Sequence, residues 1–250
     1  MVATIQLCGR FAVDLDGERI ETKLPGRQGR LLFAYLVLNR HRVVSRSELV
    51  DAVWPGELPR DPSDALAALL SKLRTVLGNQ RVQGRGEVQL VLSAGTRIDV
   101  ERALTTVHEA ESACALRDWT RAWAAALSAQ LVAKRRLLGE YEAPWIDEWR
   151  ATLDDVLARS LECYGTACLG LGGTELAGAE RAARQLVRAA PLRESGTGLL
   201  MRALEERGNV AEALLAYDSL RQRLRDELGL APAPSLQAEY RRLLSMTAAD

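Results

Sequence analysis

The spacing of apolar and polar residues changes several times within the first hundred residues, and each change marks a predicted element. The segment "TIQLCGRFAVDL" alternates apolar and polar side chains up to Asp16 and Gly17, which is typical of a β-hairpin. Two segments of helical period follow, "RQGRLLFAYLVLNR" and "SELVDAVW". Ser45 and Glu48 have the spacing of a capping box at the start of the second helix. The chain is therefore expected to begin with strands and to continue with two helices.

The segment "RDPSDALAALLSKLRTVLG" at residues 60–78 predicts a third helix with two unlike faces. Asp61 is a typical N-cap, Pro62 suits the first helical position, and Asp64 has the capping-box spacing. At 100° per residue, an arc of about 100° collects six apolar residues and predicts a core face. The six are Leu66, Leu69, Leu70, Leu73, Val76 and Leu77. The opposite arc consists of Asp64, Ala67, Ala68, Ser71 and Thr75, with Lys72 and Arg74 on its sides. No long side chain projects from its middle.

The segment "NQRVQGRGEVQLVL" predicts a second hairpin, because Gly84 and Gly86 flank Arg85 between two alternating stretches. Three helices followed by a hairpin are typical of a winged helix-turn-helix. In that fold the third helix enters the major groove of DNA, and the hairpin lies along a neighbouring groove. A face of small side chains would let the helix backbone approach the bases. The alternative is a helix that is packed on both sides, with this face against a second domain.

From about residue 99 the pattern is helical throughout. The predicted helices are 101–117, 119–138, 145–170, 174–190, 192–207, 210–228 and 235–245. Their connections are short, which predicts antiparallel neighbours. "AERAARQL" at 179 recurs loosely as "AEALLAYDSL" at 211, close to the period of tetratricopeptide helix pairs. The predicted fold is therefore mainly α. A winged helix-turn-helix domain with small β-hairpins takes residues 1–98, and an all-α, tetratricopeptide-like domain takes residues 99–250.

The net charge of the whole chain is zero, but the first hundred residues carry a local excess of positive charge. The chain carries 33 Lys and Arg against 33 Asp and Glu, but residues 1–100 hold 14 against 11, a net of +3. The window from Thr22 to Ser47 contains six cations and no acid. They are Lys23, Arg27, Arg30, Arg40, Arg42 and Arg46. This composition indicates a basic surface suited to nucleic acid, or else a chance run of charge on a solvated face.

The predicted DNA contacts lie on the second helix, the third helix and the hairpin tip. Ser45 and Ser47 beside Arg46 would place free helix amides at a phosphate, although the same serines could be ordinary caps. Arg46, Arg74 and Arg85 are predicted to contact the DNA backbone, and Lys72 a phosphate or a base. Asp64 could accept a hydrogen bond from a cytosine amino group or cap the helix. Close approach is predicted at Ala67, Ala68 and Ser71, while Lys72, Arg74 and Thr75 are predicted to reach outward to the DNA.

Catalytic, cofactor and metal sites are not expected. The two histidines, His41 and His108, are too few for a zinc site or a catalytic triad, and "LGLGGT" at 169–174 lacks the Lys of a phosphate-binding loop. The four cysteines show no C-x-x-C spacing and are expected to be reduced thiols. Neither a membrane span nor a signal peptide is apparent, so a cytoplasmic location is expected. Four tryptophans could line a ligand pocket, or belong to the core as aromatics more often do. They are Trp119, Trp123, Trp145 and Trp149.

Long ordered segments resemble the Streptomyces antibiotic regulatory protein family of transcriptional activators. They include "RQGRLLFAYLVLNRHRVVSRSELVDAVW", "ALLSKLRTVLG" and the C-terminal "PLRE…GN…AEALLAYDSLR…LRDELGLAPAPSL", and the resemblance covers nearly the whole chain. It implies a winged helix joined to a bacterial transcriptional activator domain. It also implies binding of double-stranded DNA at repeated promoter half-sites as a homodimer, and contact with RNA polymerase.

The resemblance is weakest at the predicted DNA-reading positions. Members of the family usually carry Asn, Gln and His where this chain has Asp64, Ala67 and Leu69, and "GRGEVQL" replaces a more usual Pro-Gly-Tyr wing tip. DNA binding with reduced or unusual sequence specificity is therefore expected. The alternative is a protein-interaction module with a degenerate winged helix.

Overall fold

A computed structural model describes residues 3–247 of the chain. Within that range the chain forms ten α-helices and seven short strands, so the mainly α prediction is confirmed. The strands are β1 (Thr4–Gln6), β2 (Ala12–Leu15), β3 (Glu18–Arg19), β4 (Val44–Ser45), β5 (Val82–Gln83), β6 (Glu87–Leu90) and β7 (Arg97–Ile98). The helices are α1 (Gly26–Leu38), α2 (Arg46–Val53), α3 (Pro62–Leu77), α4 (Asp99–Ala115), α5 (Trp119–Ala133), α6 (Pro144–Leu171), α7 (Leu176–Ala189), α8 (Glu194–Glu206), α9 (Val210–Leu228) and α10 (Pro234–Thr247).

The helices and strands pack as two compact units, each described below by itself. The winged-helix unit consists of the residues up to Arg102 together with Arg135–Thr152. The helical unit consists of Ala103–Lys134 together with the residues from Leu153 onward. The domain division between residues 98 and 99 stays a prediction.

The winged-helix unit contains two small sheets. The first has the order β3-β2-β1-β7, with β1 antiparallel to β2 and parallel to β7. Asp16 and Gly17 connect β2 to β3, and both have positive φ, 57° and 85°, as a tight two-residue hairpin turn requires. The second sheet has the order β4-β6-β5. Its β5–β6 hairpin, residues 82–90, is called the wing below. Both hairpins that the sequence predicted are present.

Helices α2 and α3 begin at the predicted caps. The Ser45 hydroxyl accepts a hydrogen bond from the Glu48 amide at 3.2 Å, and Asp61 Oδ1 accepts one from the Asp64 amide at 3.0 Å. On α3 the predicted core face is buried at Leu66, Leu70, Leu73 and Leu77 and half-buried at Leu69 and Val76. The apolar arc therefore fixes which side of α3 faces the unit.

The second half of each capping box does not form, which corrects the sequence interpretation. The Glu48 carboxylate accepts hydrogen bonds from the Tyr35 hydroxyl and the Arg42 guanidinium instead of the Ser45 amide. A charge-assisted bond to Arg42 is stronger than a bond to a neutral amide. Asp64 is exposed, and within residues 3–247 its carboxylate accepts no hydrogen bond from the first turn of α3.

The helical unit follows the predicted order of helices. Helix α8 packs against α7 and α9, and small residues allow close approach. A Cβ added at Gly196 would lie 3.0 Å from Leu186 Cγ, and Ala182, Ala183 and Ala213 are buried in the same core. Gly172 and Gly173 have positive φ and lie between α6 and α7, so "LGLGGT" contains a turn between helices, as predicted. Among the residues that the structure describes, no helix combines the length and the apolar character of a membrane span.

The predicted helix 119–138 ends early, at Ala133. The chain leaves the helix there because the backbone of residues 136–138 pairs with residues 7–9. Leu137 forms a β-bridge with Cys8, and the Leu138 amide donates to the Leu7 carbonyl at 3.0 Å. The apolar period alone could not show that Leu137 and Leu138 are buried in this way.

Candidate nucleic-acid interface

The face of small residues on α3 is exposed along its whole length. Asp64, Ala67, Ala68, Ser71 and Thr75 are all exposed, and Lys72 is exposed beside them. No described element of the winged-helix unit covers this face, and the alternative that it packs against a second domain stays a prediction. The Thr75 hydroxyl donates to the Ser71 carbonyl at 3.1 Å, so it adds little polar reach of its own. The exposed face offers a smooth backbone surface with one long cation at its edge.

Arg46 joins the three elements on which DNA contacts are predicted. It is the first residue of α2, and its guanidinium donates to the Ser63 carbonyl of α3 at 3.1 Å and to the Arg85 carbonyl of the wing at 3.4 Å. Neither acceptor is a carboxylate, so the positive charge is not neutralised by an ion pair. Arg46 therefore fixes the wing tip beside the start of α3 and keeps a cation between them.

Arg74 fastens the other end of α3 to the wing. Its Nε donates to the Val82 carbonyl at 3.1 Å and its Nη2 to the Gly84 carbonyl at 2.6 Å. The side chain is half-buried, so its first role is to position the wing. Contact of Arg74 with a phosphate stays a prediction.

The wing tip depends on a glycine. Gly84 has φ of 87°, and a Cβ there would lie 1.9 Å from the Glu87 carbonyl oxygen. No other residue type could adopt this turn without moving the backbone. Arg85 follows it and is exposed. Within residues 3–247 the Arg85 side chain has no ion-pair or hydrogen-bond partner, so its charge is free to meet a ligand.

The start of α2 shows ordinary capping. Ser45 caps the Glu48 amide, and the Ser45 and Ser47 hydroxyls lie 3.0 Å apart. Ser47 is exposed and Ser45 is half-buried. A phosphate contact at this helix start stays a prediction.

The basic window does not form one cationic surface, which corrects the interpretation of its composition. Lys23 pairs with Glu18, Arg40 with Glu101, and Arg42 with Glu48, all of them acids from outside the window. Arg27 lies over the Tyr141 ring, 4.7 Å from its centroid. Arg46 is the window cation whose guanidinium bridges α3 and the wing. Half of the window's six cations are therefore neutralised by ion pairs within the winged-helix unit.

Glu48 shows how firmly one of these pairs is held. Hydrogen bonds from Arg42 are the largest influence on it and lower the pKa of the carboxyl below its usual range. The neighbouring Tyr35 responds in the opposite direction, since burial and the Glu48 carboxylate raise its pKa to about 12. Glu48 therefore stays ionised and Tyr35 stays protonated near neutral pH. This group stabilises the contact between α1 and α2.

The start of α3 carries an exposed cation that the sequence patterns did not single out, together with two exposed acids. Arg60 directly precedes the Asp61 cap and is exposed. Its position next to a helix N-cap is the signal that could have identified it. Asp61 and Asp64 are exposed beside it, and their negative charge opposes phosphate at this end of the helix. The cations Lys72, Arg74 and Arg85 lie on the later part of α3 and on the wing.

The cysteines and tryptophans fall partly as expected. Cys8, Cys163 and Cys168 are buried and Cys114 is half-buried, all as free thiols. Trp145 donates its Nε1 to the Ala52 carbonyl at 3.0 Å and meets the Tyr35 ring edge-on at 5.1 Å, both within the winged-helix unit. Trp123 packs beside Tyr164 in the helical unit, with ring centroids 5.9 Å apart. Trp119 instead lines an open cleft.

Two family models match the chain. The model described as "Bacterial transcriptional activator domain" matches residues 98–244, and that described as "Transcriptional regulatory protein, C terminal" matches residues 20–93. The second match contains all three helices and the wing of the candidate interface. The first covers more than half of the chain.

Curated relatives and one solved structure agree with these matches. Regulatory protein AfsR of Streptomyces coelicolor is 35% identical over 92% of this chain and 23% of its own length. Transcriptional regulator RedD of the same species is 28% identical over 86% of this chain and 63% of its own length. The solved structure of Mycobacterium tuberculosis EmbR in complex with a low affinity phosphopeptide has a TM-score of 0.83 at 20% identity. It is matched over 98% of this chain and 65% of that chain, and it shows that the fold is shared.

The chain spans about a quarter of the length of the AfsR relatives that it matches. The family itself is settled by the activator-domain match over residues 98–244, together with the winged-helix match and the relatives. The chain belongs to the Streptomyces antibiotic regulatory protein family of transcriptional activators, which joins a winged helix to a bacterial transcriptional activator domain.

Proposed function

We propose that this chain is a non-enzymatic, DNA-binding transcriptional activator that reads double-stranded DNA with α3 and the wing. One observation carries the proposal. The exposed face of α3 and the wing tip are held together by the guanidinium groups of Arg46 and Arg74, and neither guanidinium is paired with a carboxylate in the described part of the chain. A rigid pair of a helix and a hairpin with uncompensated positive charge suits a groove flanked by phosphates.

Phosphate contacts would dominate the affinity of this interface. Lys72 of α3 and Arg85 of the wing are exposed cations, and Arg46 and Arg74 add charge where the helix meets the wing. Base contacts would be few, because Ala67, Ala68 and Ser71 carry little polar reach. Shape and close approach of the backbone would supply the specificity that remains. A DNA partner also implies a cytoplasmic location.

The family supplies the wider proposal. Activators of this kind are expected to bind repeated half-sites as homodimers and to contact RNA polymerase. The match of residues 98–244 to an activator domain supports a role for the helical unit in that assembly. The competing function is a protein-interaction module whose winged helix no longer binds DNA, and it has the exposed acids Asp61 and Asp64 in its favour.

The test compares two charge-matched double variants of the full chain in gel shifts at several salt concentrations. Lys72→Ala with Arg85→Ala should lower the magnitude of the salt slope by about two, since each phosphate contact contributes about 0.9. Arg10→Ala with Arg97→Ala removes two exposed cations from other positions of the winged-helix unit and should leave the slope unchanged. Equal slopes in the two double variants would remove α3 and the wing from the DNA-contact surface. Failure of the unaltered chain to bind any duplex would favour the interaction module.

A further inference from the structure

The helical unit contains an open cleft between four helices, α5, α6, α8 and α10. Its volume is about 740 Å³, in the range of small-molecule sites. Trp119 forms one wall, and the absence of a side chain at Gly170 allows this placement. A Cβ on Gly170 would lie 2.4 Å from indole Cε2, so the ring rests directly against the backbone of α6. We call this space the Trp119 cleft.

The charged residues of the Trp119 cleft do not balance. Three carboxylates and two guanidinium groups line it. Arg242 and Glu205 neutralise each other through two parallel hydrogen bonds, Nη1 to Oε1 at 2.6 Å and Nη2 to Oε2 at 2.5 Å. Glu206 and Glu239 then remain against Arg202 alone. The cleft therefore carries an excess of negative charge beside an aromatic wall.

Glu239 has an unmet requirement for a hydrogen-bond donor. Its Oε1 atom is buried, and no hydrogen-bond donor reaches it from any residue that the structure describes. Burial raises the pKa of this carboxyl, while Arg202 and Arg242 act in the opposite direction. Arg202 uses its Nε on the Gly198 carbonyl at 3.3 Å. A buried carboxylate oxygen without a donor is costly, so a positive charge placed in the cleft beside Glu239 would stabilise this carboxylate.

We propose that the Trp119 cleft is a binding site for a small organic cation with a planar body, held by Glu239 and Trp119. The N–H groups of the cation donate to the Glu239 carboxylate where it lines the cleft. Its positive charge offsets the excess of carboxylates, and its planar body lies on the indole, the aromatic surface that attracts cations most strongly. Such a site would give the activator an input separate from DNA. Ligand binding to the cleft is measured in the absence of DNA. A negative result there is therefore distinguishable from a failure of the proposed DNA binding.

The first experiment is calorimetric titration of the full chain with three probes of the same shape and different charge. Benzamidine is planar and cationic, benzamide is its neutral counterpart, and benzoate is anionic. Benzamidine should bind one equivalent, benzamide at least about tenfold more weakly, and benzoate not at all. Equal binding of benzamidine and benzamide, or no saturable binding of benzamidine up to about 10 mM, would overturn the proposal.

The second experiment locates the site with variants that keep the shape of the cleft. Glu239→Gln should weaken benzamidine binding about tenfold, and the more exposed Glu206→Gln about threefold, because solvent screens its charge. Glu109→Gln makes the same charge change on an exposed face of α4 and should bind as the unaltered chain does. Thermal melts of each variant confirm that the fold is retained. Benzamidine affinity that is equal in Glu239→Gln and Glu109→Gln would place the ligand elsewhere and overturn the proposal.

Discussion

Ion pairs between residues far apart in the sequence decide what the charged side chains of this protein do. Arg40 and Glu101 are 61 positions apart, yet Nε–Oε1 and Nη2–Oε2 distances of 2.6 and 2.8 Å make a bidentate pair. A run of cations without acids therefore predicted more free charge than the fold leaves. Arg46 and Arg74 were predicted to contact DNA, and in the structure both donate to backbone carbonyls of the wing. Their bonds to backbone carbonyls could not be inferred, because the sequence does not show where the wing lies relative to α2 and α3.

Asp99 is a residue whose role only the structure reveals. Its carboxylate accepts from the Leu7 amide at 2.9 Å, the Cys8 amide at 2.8 Å and the Val100 amide at 2.9 Å. Burial raises the pKa of the carboxyl, and these amides oppose that rise. Asp99 therefore joins the end of β1 to the start of α4.

Asp99→Ala should lower the free energy of unfolding by about 3 kcal/mol, because two long-range buried amides lose their acceptor. Urea denaturation of the full chain measures this loss, with m-values checked for a single transition. Asp99→Asn should lose less, since one oxygen acceptor remains. Asp154→Ala, an exposed acid on α6, is the control and should change stability by no more than about 0.5 kcal/mol. A similarly small effect of Asp99→Ala would show that solvent satisfies both amides.

At the scale of helices and strands, the sequence predicted the features that neighbouring residues determine, namely the starts of helices and their buried sides. Ser45, Asp61 and Pro62 set the starts of α2 and α3, and the apolar arc of α3 set its buried side. The end of α5 was predicted wrongly, because Leu137 and Leu138 continue the apolar spacing of the helix while the backbone of residues 136–138 pairs with residues 7–9. Pairing between distant backbone segments leaves no trace in periodicity.

Bulk added to the exposed face of α3 should weaken DNA binding without weakening the fold. Ala67→Leu and Ala68→Leu keep helix propensity nearly constant, and both sites are exposed, so each should change stability by about 0.5 kcal/mol or less. DNA affinity should fall at least about tenfold, because the helix backbone could no longer approach the groove closely.

Thermal melts and gel shifts on the same samples separate the two effects. Ala124→Leu, at an exposed position of α5, is the matched control for added bulk and should leave both measurements unchanged. Retained DNA affinity in both α3 variants would mean that this face does not enter the groove.

The wing offers a matched pair of glycines. Gly84→Ala requires the backbone to move, since the new Cβ would meet the Glu87 carbonyl oxygen at 1.9 Å, whereas Gly86 has no atom within 4 Å of the corresponding position. Gly84→Ala should cost about 1–3 kcal/mol of stability and shift the amide NMR signals of residues 82–90. It should also reduce DNA binding, because the Gly84 carbonyl that anchors Arg74 moves. Gly86→Ala should preserve all three properties. Equal behaviour of the two variants would contradict the structure of this turn.

At the scale of the whole molecule, each compact unit consists of two separate segments of the chain. Arg135–Thr152 belongs to the winged-helix unit, where Trp145 bonds to the Ala52 carbonyl and Tyr141 receives Arg27. A fragment that ends near residue 98 would lose these contacts. Helix order and family resemblance predicted the fold class of both halves, but they could not predict this return of the chain. DNA-binding experiments therefore use the full chain.

The spacing of half-sites tests whether two copies act together on DNA. Two half-sites selected from a random-sequence library should bind cooperatively when their centres lie about one helical turn, ~10.5 bp, apart. Insertion of about 5 bp turns the second site to the opposite face of the duplex and should abolish cooperativity. Insertion of about 10 bp restores the face and should recover part of the cooperativity.

Gel shifts that resolve one and two bound copies give the cooperative factor, expected to be about tenfold, or ~1.4 kcal/mol, at the best spacing. The same DNAs placed before a reporter promoter should rank in the same order for activation. Independent binding at every spacing would mean that each chain acts alone, and that any role of the helical unit in activation does not require a neighbouring copy.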